Sequence, residues 1–392
     1  MTYSKPAYIY WIALLLFGTV ALKSAAAIYP QQGAHTAVAD SLALNHIFKA
    51  GNEGYACFRI PALISTNSGA LLAIAEGRRK NCGDSGDIDL VMKRSEDLGK
   101  TWGPLKLIWS DSTNTCGNPA PVLDKETGEI FLMFNWNHGE DREKFIIAQT
   151  SKDTRRVFIL SSKDEGKNWS AAKEITSTAK DPNWSWYATG PGHGIQLQNG
   201  PHKGRLIIPA NHIEKATGKN LVSTIYSDDH GQNWKMGSST PQDMVNECTV
   251  AELSGGKVML NMRNYDKNVK NRQVSLSKDG GQTWGTIYKD KTLIEPICQG
   301  TLLRYPLQGN KFSILFSNPA SSETRTNMTL RLSVNEGKKW KYSKVLHAGP
   351  SAYSDMTVLS NGEIGVFFEA GTAKPYEGIA FRRVAYEELK KK

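Results

Sequence analysis

The sequence predicts an all-β fold, a six-bladed β-propeller of four-stranded antiparallel sheets, and three observations carry that prediction. An eight-residue unit, S-x-D-x-G-x-x-W, recurs at residues 95–102, 162–169, 227–234 and 277–284, with a fifth copy at 333–340 in which Asn335 stands for the aspartate. The closing tryptophans fall roughly 50 to 65 residues apart, a period that signals repeated supersecondary units. Between the copies the chain reads as short apolar runs punctuated by Gly, Asn, Asp and Pro, with little sustained helical periodicity. A chain of 392 residues holds about six units of that length.

The unit reads as a β-hairpin turn that carries its own plug. Its aspartate can accept hydrogen bonds from N–H groups of the same turn, and its glycine tolerates a positive φ. The tryptophan offers a large apolar face to pack between neighbouring sheets, with its indole N–H free for a turn carbonyl. One carboxylate per copy, on turns far apart in space, does not make a metal site.

Taken in order, Lys5 precedes an apolar run over 9–22 and then Ala25-Ala26-Ala27, the pattern of a signal peptide cleaved after residue 27. The run is too short, and too closely followed by small residues, for a membrane span. Residues 28–45 are expected to be a flexible lead-in and residues 46–392 the propeller. Strands are predicted over 71–76, 88–94, 130–136, 157–161, 206–209, 222–227, 257–263, 273–277, 312–317, 329–333, 364–369 and 379–384. Residues 385–392 are the best short helical candidate, and a strand near 46–48 is expected to pair with 379–384 and close the ring.

The net charge of +10, about +8 once the leader is removed, suits an acidic ligand or an anionic surface. The lysines are dispersed and no basic helix or aromatic-basic stripe appears, so nucleic acid is not an expected partner. Five cysteines, 57, 82, 116, 248 and 298, include no CxxC pair, and His138, His193 and His212 lack metal-ligand spacing. No metal and no cofactor are expected. An odd cysteine count leaves at least one thiol unpaired, and the pairing itself is not legible. A monomer is expected.

In a propeller the loops that converge on the axis come from distant parts of the chain, so site residues should be scattered. Arg59 interrupts an apolar run, Arg263 ends one, and Arg325 sits in a polar loop. Each alone reads as a surface or structural arginine. Together with FRIP at 58–61, the repeated units, SAYSD at 351–355, FFEAG at 367–371 and Glu247 sixteen residues before Arg263, these make the chain resemble the bacterial-type exo-α-sialidase (neuraminidase) family over essentially all of its length after the leader.

That resemblance implies a six-bladed propeller and an enzyme that releases terminal α-linked sialic acids from glycoconjugates with retention. It makes Arg59, Arg263 and Arg325 a triad for the substrate carboxylate, a task suited to planar guanidinium forks. It makes Glu369 the acid that holds Arg59, Tyr353 the nucleophile, Glu247 its base partner, and Arg78 an extra arginine beside the carboxylate. Asp84 best matches the acid/base, with a raised pKa expected; Asp87 is the runner-up and Asp89 reads as a structural partner. A transferase or anhydro-forming variant of the same chemistry stays open, as does a non-catalytic glycan- or protein-binding propeller. Trp184, Trp186 and Tyr187 are candidates for an aromatic wall, and Gly190–Gly194 reads as a tight turn more than a phosphate cradle.

Overall fold

The computed structural model describes residues 44–391 and, ahead of them, only Met1. The leader over 1–27 and nearly all of the lead-in over 28–45 lie outside the described residues. Among the described residues no helix is long and apolar enough to cross a membrane.

Six four-stranded antiparallel blades follow one another along the chain. Blade 1 is Cys57–Ser65, Leu71–Arg78, Ile88–Ser95 and Lys106–Trp109. Blade 2 is Thr115–Leu123, Ile130–Asn137, Arg156–Ser162 and Lys173–Glu174. In blade 3 the inner position is shared by Trp184–Thr189 and Ile195–Gln196, both paired with Leu206–Glu214, and Asn220–Ser227 and Lys235–Met236 complete it. Blade 4 runs Val245–Glu252, Val258–Asn264, Asn271–Ser277 and Tyr288–Ile294.

The long strand Tyr342–Val358 is the outer strand of blade 5, after Thr301–Pro306, Phe312–Pro319 and Thr326–Ser333. Its second half is the inner strand of blade 6, which continues with Ile364–Ala370 and Gly378–Val384. The outermost strand of blade 6 is His46–Lys49, from the start of the described chain, with His46 opposite Ala380 and Phe48 opposite Ile379. The ring closes as the sequence suggests.

The core explains why these runs form strands. Along Leu71–Arg78, Leu71, Ala73 and Ala75 pack toward blade 6, while Leu72 and Ile74 pack toward blade 2. The period of two that defines a strand thus serves two cores at once. Each pair of neighbouring blades shares one such buried cluster, all the way round.

All five repeat copies form the same turn. In the copy at 277–284, Ser277 Oγ donates to Asp279 Oδ1 at 2.7 Å, Gly281 N–H donates to Ser277 Oγ at 2.8 Å, and Thr283 N–H donates to Asp279 Oδ1 at 3.0 Å. Asn335 reproduces this with its amide oxygen, accepting from Ser333 Oγ and Lys339 N–H. The turn glycine lies at positive φ in every copy, and at Gly231 a Cβ would come within 2.2 Å of the Phe131 ring of the preceding blade. The tryptophans reach the inter-blade cores: Trp102 meets Phe381 edge-on at 5.2 Å and Trp234 meets Phe131 at 5.8 Å. Only Trp340 gives its indole N–H a protein partner, and that is the Asp290 carboxylate rather than a turn carbonyl.

Every predicted strand is present, lengthened by one or more residues at an end or shifted by one. The tail forms only a 3-10 turn, Tyr386–Leu389, and two short helices, Glu143–Ile147 and Thr176–Ala179, were not expected. The inner strands run from one end of the axis to the other. Their first residues line a cavity of about 400 Å³ that holds the site, and their last residues, including Leu63, Glu252 and Val358, line a second of about 380 Å³.

Candidate active site

The site lies where the first residues of the inner strands meet. Arg59 is 4% exposed, although it stands inside an apolar run, because Glu369 meets it across the seam between blades 1 and 6. Arg59 Nε donates to Glu369 Oε1 at 3.0 Å and Nη2 to Oε2 at 3.2 Å. The same carboxylate accepts the backbone N–H of Ile60 at 2.9 Å and of Tyr353 at 3.1 Å. A buried charge pair is tolerable when its remaining hydrogen-bonding capacity is filled, and here it is.

Tyr353 stands at the centre. Its hydroxyl donates to Glu247 Oε1 at 2.5 Å and accepts from Arg263 Nη1 at 3.1 Å, and Arg263 Nη1 also donates to Glu247 Oε2 at 2.6 Å. Arg59 and Arg325 lie over its ring at 5.0 and 5.7 Å from the centroid. Arg325 Nη1 donates to the Tyr376 hydroxyl at 2.8 Å, and Tyr376 in turn lies under Arg59. Burial holds the Tyr353 phenol well above its ordinary pKa, Glu247 adds to this, and Arg263 and Arg59 pull the other way. The phenol is therefore protonated and needs a proton acceptor to become a nucleophile. Glu247 is in place to be one.

Of the three aspartates that follow Arg78, only Asp84 lines the cavity. Arg78 Nη1 donates to Asp84 Oδ1 at 2.7 Å and Arg59 Nη1 at 3.3 Å, yet the Asp84 side chain stays 78% exposed. Asp87 lies 4.0 Å from Arg79, outside the cavity lining, and Asp89 is buried against Tyr55 and Arg79. The raised pKa expected for Asp84 is not found. Burial pushes its carboxyl up, but Arg78 and Arg59 outweigh this and hold it below the ordinary carboxylate value. A disulfide, Cys57–Cys82, ties the Asp84 loop to the strand that carries Arg59, while Cys116, Cys248 and Cys298 are buried thiols.

All eight residues singled out in the sequence, Arg59, Arg78, Asp84, Glu247, Arg263, Arg325, Tyr353 and Glu369, come together here; seven line the cavity and Glu369 lies behind Arg59. Of the aromatic trio only Trp186 reaches it; Trp184 stacks on His212 and Tyr187 is core. In Gly190–Gly194 the glycine N–H groups donate to carbonyls of neighbouring strands, so the loop is no phosphate cradle. Sequence reasoning missed Glu76, Arg155 and Tyr376. Glu76 had a signal: it precedes Arg78 by two on one strand face, and Arg78 Nη2 donates to it at 2.6 Å. Arg155 and Tyr376 stand in polar loops with no local mark.

Known proteins resemble the chain in sequence and in fold. A family model described as a BNR repeat-like domain matches residues 69–366. A sialidase of Micromonospora viridifaciens is 34% identical across 83% of the chain, which spans only 52% of that protein's length. An exo-alpha-sialidase of Aspergillus fumigatus is 31% identical, with 84% of each protein covered. Among solved structures, the Hadza microbial sialidase Hz136 superposes with a TM-score of 0.80 at 30% identity, over 88% of this chain and 68% of its own. Repeat, ring and sequence similarity converge, and the chain belongs to the BNR-repeat sialidase family.

Proposed function

We propose that the protein is an exo-α-sialidase that hydrolyses terminal α-linked sialic acids of glycoproteins, glycolipids and oligosaccharides with retention of configuration. The observation that carries this reading is the Tyr353 hydroxyl, hydrogen-bonded to Glu247 and Arg263 and flanked by Arg59 and Arg325. Sialic acid bears its carboxylate on the anomeric carbon, and Arg59, Arg263 and Arg325 supply guanidinium forks for it. A carboxylate nucleophile would be repelled by that group. A phenol that gives its proton to Glu247 as it attacks is not.

Asp84 protonates the glycosidic oxygen as the bond to the anomeric carbon breaks, and Tyr353 Oη bonds that carbon. Water, giving its proton to Asp84, then displaces Tyr353, which recovers its proton from Glu247. The depressed pKa of Asp84 belongs to the ligand-free site. A substrate carboxylate on Arg59 offsets one of the two cations that depress it, and covering by the sugar adds desolvation; both raise it toward the value an acid needs. Removal of residues 1–27 and action outside the cytoplasm complete the reading, supported by the Cys57–Cys82 disulfide. The test is release of fluorophore from a fluorogenic α-sialoside by the folded protein between pH 4 and 8; turnover is expected, and its absence refutes the proposal.

A further inference from the structure

The second cavity, about 380 Å³ at the far end of the axis, plays no part in the chemistry above. Two cations line it from blades that face each other across the ring. Lys125 follows Thr115–Leu123 of blade 2, and Arg304 stands on Thr301–Pro306 of blade 5. The backbone of Lys125 is pinned there: its N–H donates to Gln196 Oε1 at 2.9 Å and its carbonyl accepts from Asn67 Nδ2 at 3.1 Å. Arg304 is half-buried, with its guanidinium 4.2 Å from the centroid of Phe312 and its Nε–H buried without an acceptor. Among the described residues neither cation makes an ion pair or a side-chain hydrogen bond. Desolvation lowers the Lys125 pKa and the charge of Arg304 lowers it further, against a smaller opposing pull from Glu252. The two cations therefore bear on each other.

The carboxylates at this end are already committed. Glu252, which also lines the cavity, accepts the backbone N–H of Gln198 at 3.0 Å and of Asn199 at 2.7 Å, and the Asn199 amide at 3.2 Å. Asp355 sits behind the cavity residue His193, pairing with its Nδ1 at 2.6 Å and accepting the N–H of Leu63 at 2.8 Å and of His193 at 3.0 Å. Neither can turn to Lys125 or Arg304 without stranding its own donors, so the counter-charge has to come from outside. Much of the remaining wall is hydrocarbon, from Leu123, Leu303, Met356 and Val358. The volume lies in the range that holds small organic ligands. An inorganic anion would answer the cations and leave the apolar wall in water. A neutral hydrocarbon would cover the wall and leave the cations unanswered. An organic anion with an apolar body does both.

We propose that the far axial cavity is a second ligand site, which takes an organic monocarboxylate with its carboxylate between Lys125 and Arg304 and its apolar body against Leu123, Leu303 and Met356. The experiment is calorimetric titration of the folded protein at low salt with sodium octanoate, hexanoate, acetate and octylammonium. One octanoate is expected per chain. Octanoate should bind about 10-fold more tightly than hexanoate, because two more methylenes are buried. Acetate and octylammonium, each lacking one half of the match, should bind at least about 10-fold more weakly than octanoate. Lys125→Gln and Arg304→Gln should each weaken octanoate about 10-fold, and Arg263→Met, in the first cavity, should leave it unchanged. The exposed Lys125 side chain can be replaced without touching the core, so Lys125→Gln carries the test if Arg304→Gln does not fold. Octanoate that binds no more tightly than octylammonium, or that binds Lys125→Gln like the wild type, overturns the proposal. So does binding that is lost in Arg263→Met, which would place the ligand in the first cavity. The readout needs no turnover, so its outcome is independent of the sialidase reading.

Discussion

The repeat turns and the axial cavity are made from the same materials, carboxylates surrounded by donors, but they satisfy them over different distances. Every hydrogen-bond partner of the Asp279 carboxylate lies within four residues. In the cavity Glu369 holds an arginine 310 residues away, and Glu247 meets Tyr353 across 106. A turn of the first kind can form on its own and tolerates Asn335 for Asp. A site of the second kind exists only once the ring does, because its central links, Glu369 to Arg59 and Glu247 to Tyr353, each join two blades. Stability and chemistry should therefore separate under mutation.

The largest effect is expected at Tyr353. Tyr353→Phe removes one oxygen and leaves the Arg263–Glu247 pair, so turnover of a fluorogenic sialoside should fall on the order of 10³-fold. The melting temperature should stay near that of the wild type. Glu369→Ala should cross the divide, because it strands the buried Arg59 and two backbone N–H groups. About 3–5 kcal/mol of stability should be lost in urea unfolding, together with activity. If the variant unfolds like the wild type, Glu369 does not hold the seam.

Asp84→Ala should slow hydrolysis of a substrate with a poor leaving group by about 10²-fold, and of an activated aryl sialoside far less. Asp87→Ala should change neither. Since Asp84 is held below its ordinary pKa in the free protein, its proton is lost as pH rises through that low value. On the poor leaving group, kcat/KM should therefore decline from the acid side upward. The decline in kcat should come at higher pH, because bound carboxylate offsets Arg59. Coincident limbs would argue against Asp84 as the acid.

The smallest effect belongs to the turns. Asp279→Ala should lower stability by about 1 kcal/mol and leave kcat/KM unchanged. The turn aspartates Asp97 and Asp164 are held at about 2, Asp97 first by its hydrogen bond from the Thr101 side chain and Asp164 first by the Asn168 backbone N–H. Their folded pKa values lie below the unfolded one near 3.8, so what they contribute is present above pH 4 and lost as pH falls toward 2. A thermal midpoint that holds steady from pH 4 to 2 would remove the turns from the stability account.

The contrast also explains what could be read from the sequence. The middle strands of each blade bury both faces, so runs such as 71–76 and 364–369 announce themselves. The inner strands hide. Thr115–Leu123 reads TCGNPAPVL, with Gly117 where any Cβ would meet Glu76 Oε1 at 2.5 Å, and Val245–Glu252 carries two acids. Near the axis, strands need small residues for close approach and polar residues for the site, and both erase the apolar pattern. The eight site residues were found through family motifs and not through periodicity. Arg155 lies in a loop between motifs, and only the ring brings it to the cavity.

The closure of the ring has a temporal consequence. The first described strand, His46–Lys49, finds its place beside Gly378–Val384, and Arg59 finds its buried counter-charge in Glu369. During synthesis the chain must emerge through blade 6 before Arg59 meets Glu369 or Tyr353 is placed. A ribosome that stops short of blade 6 leaves Tyr353 and Glu369 unmade and the cavity incomplete. Blades 1 and 6 complete the site together, so the site exists only once both have been made.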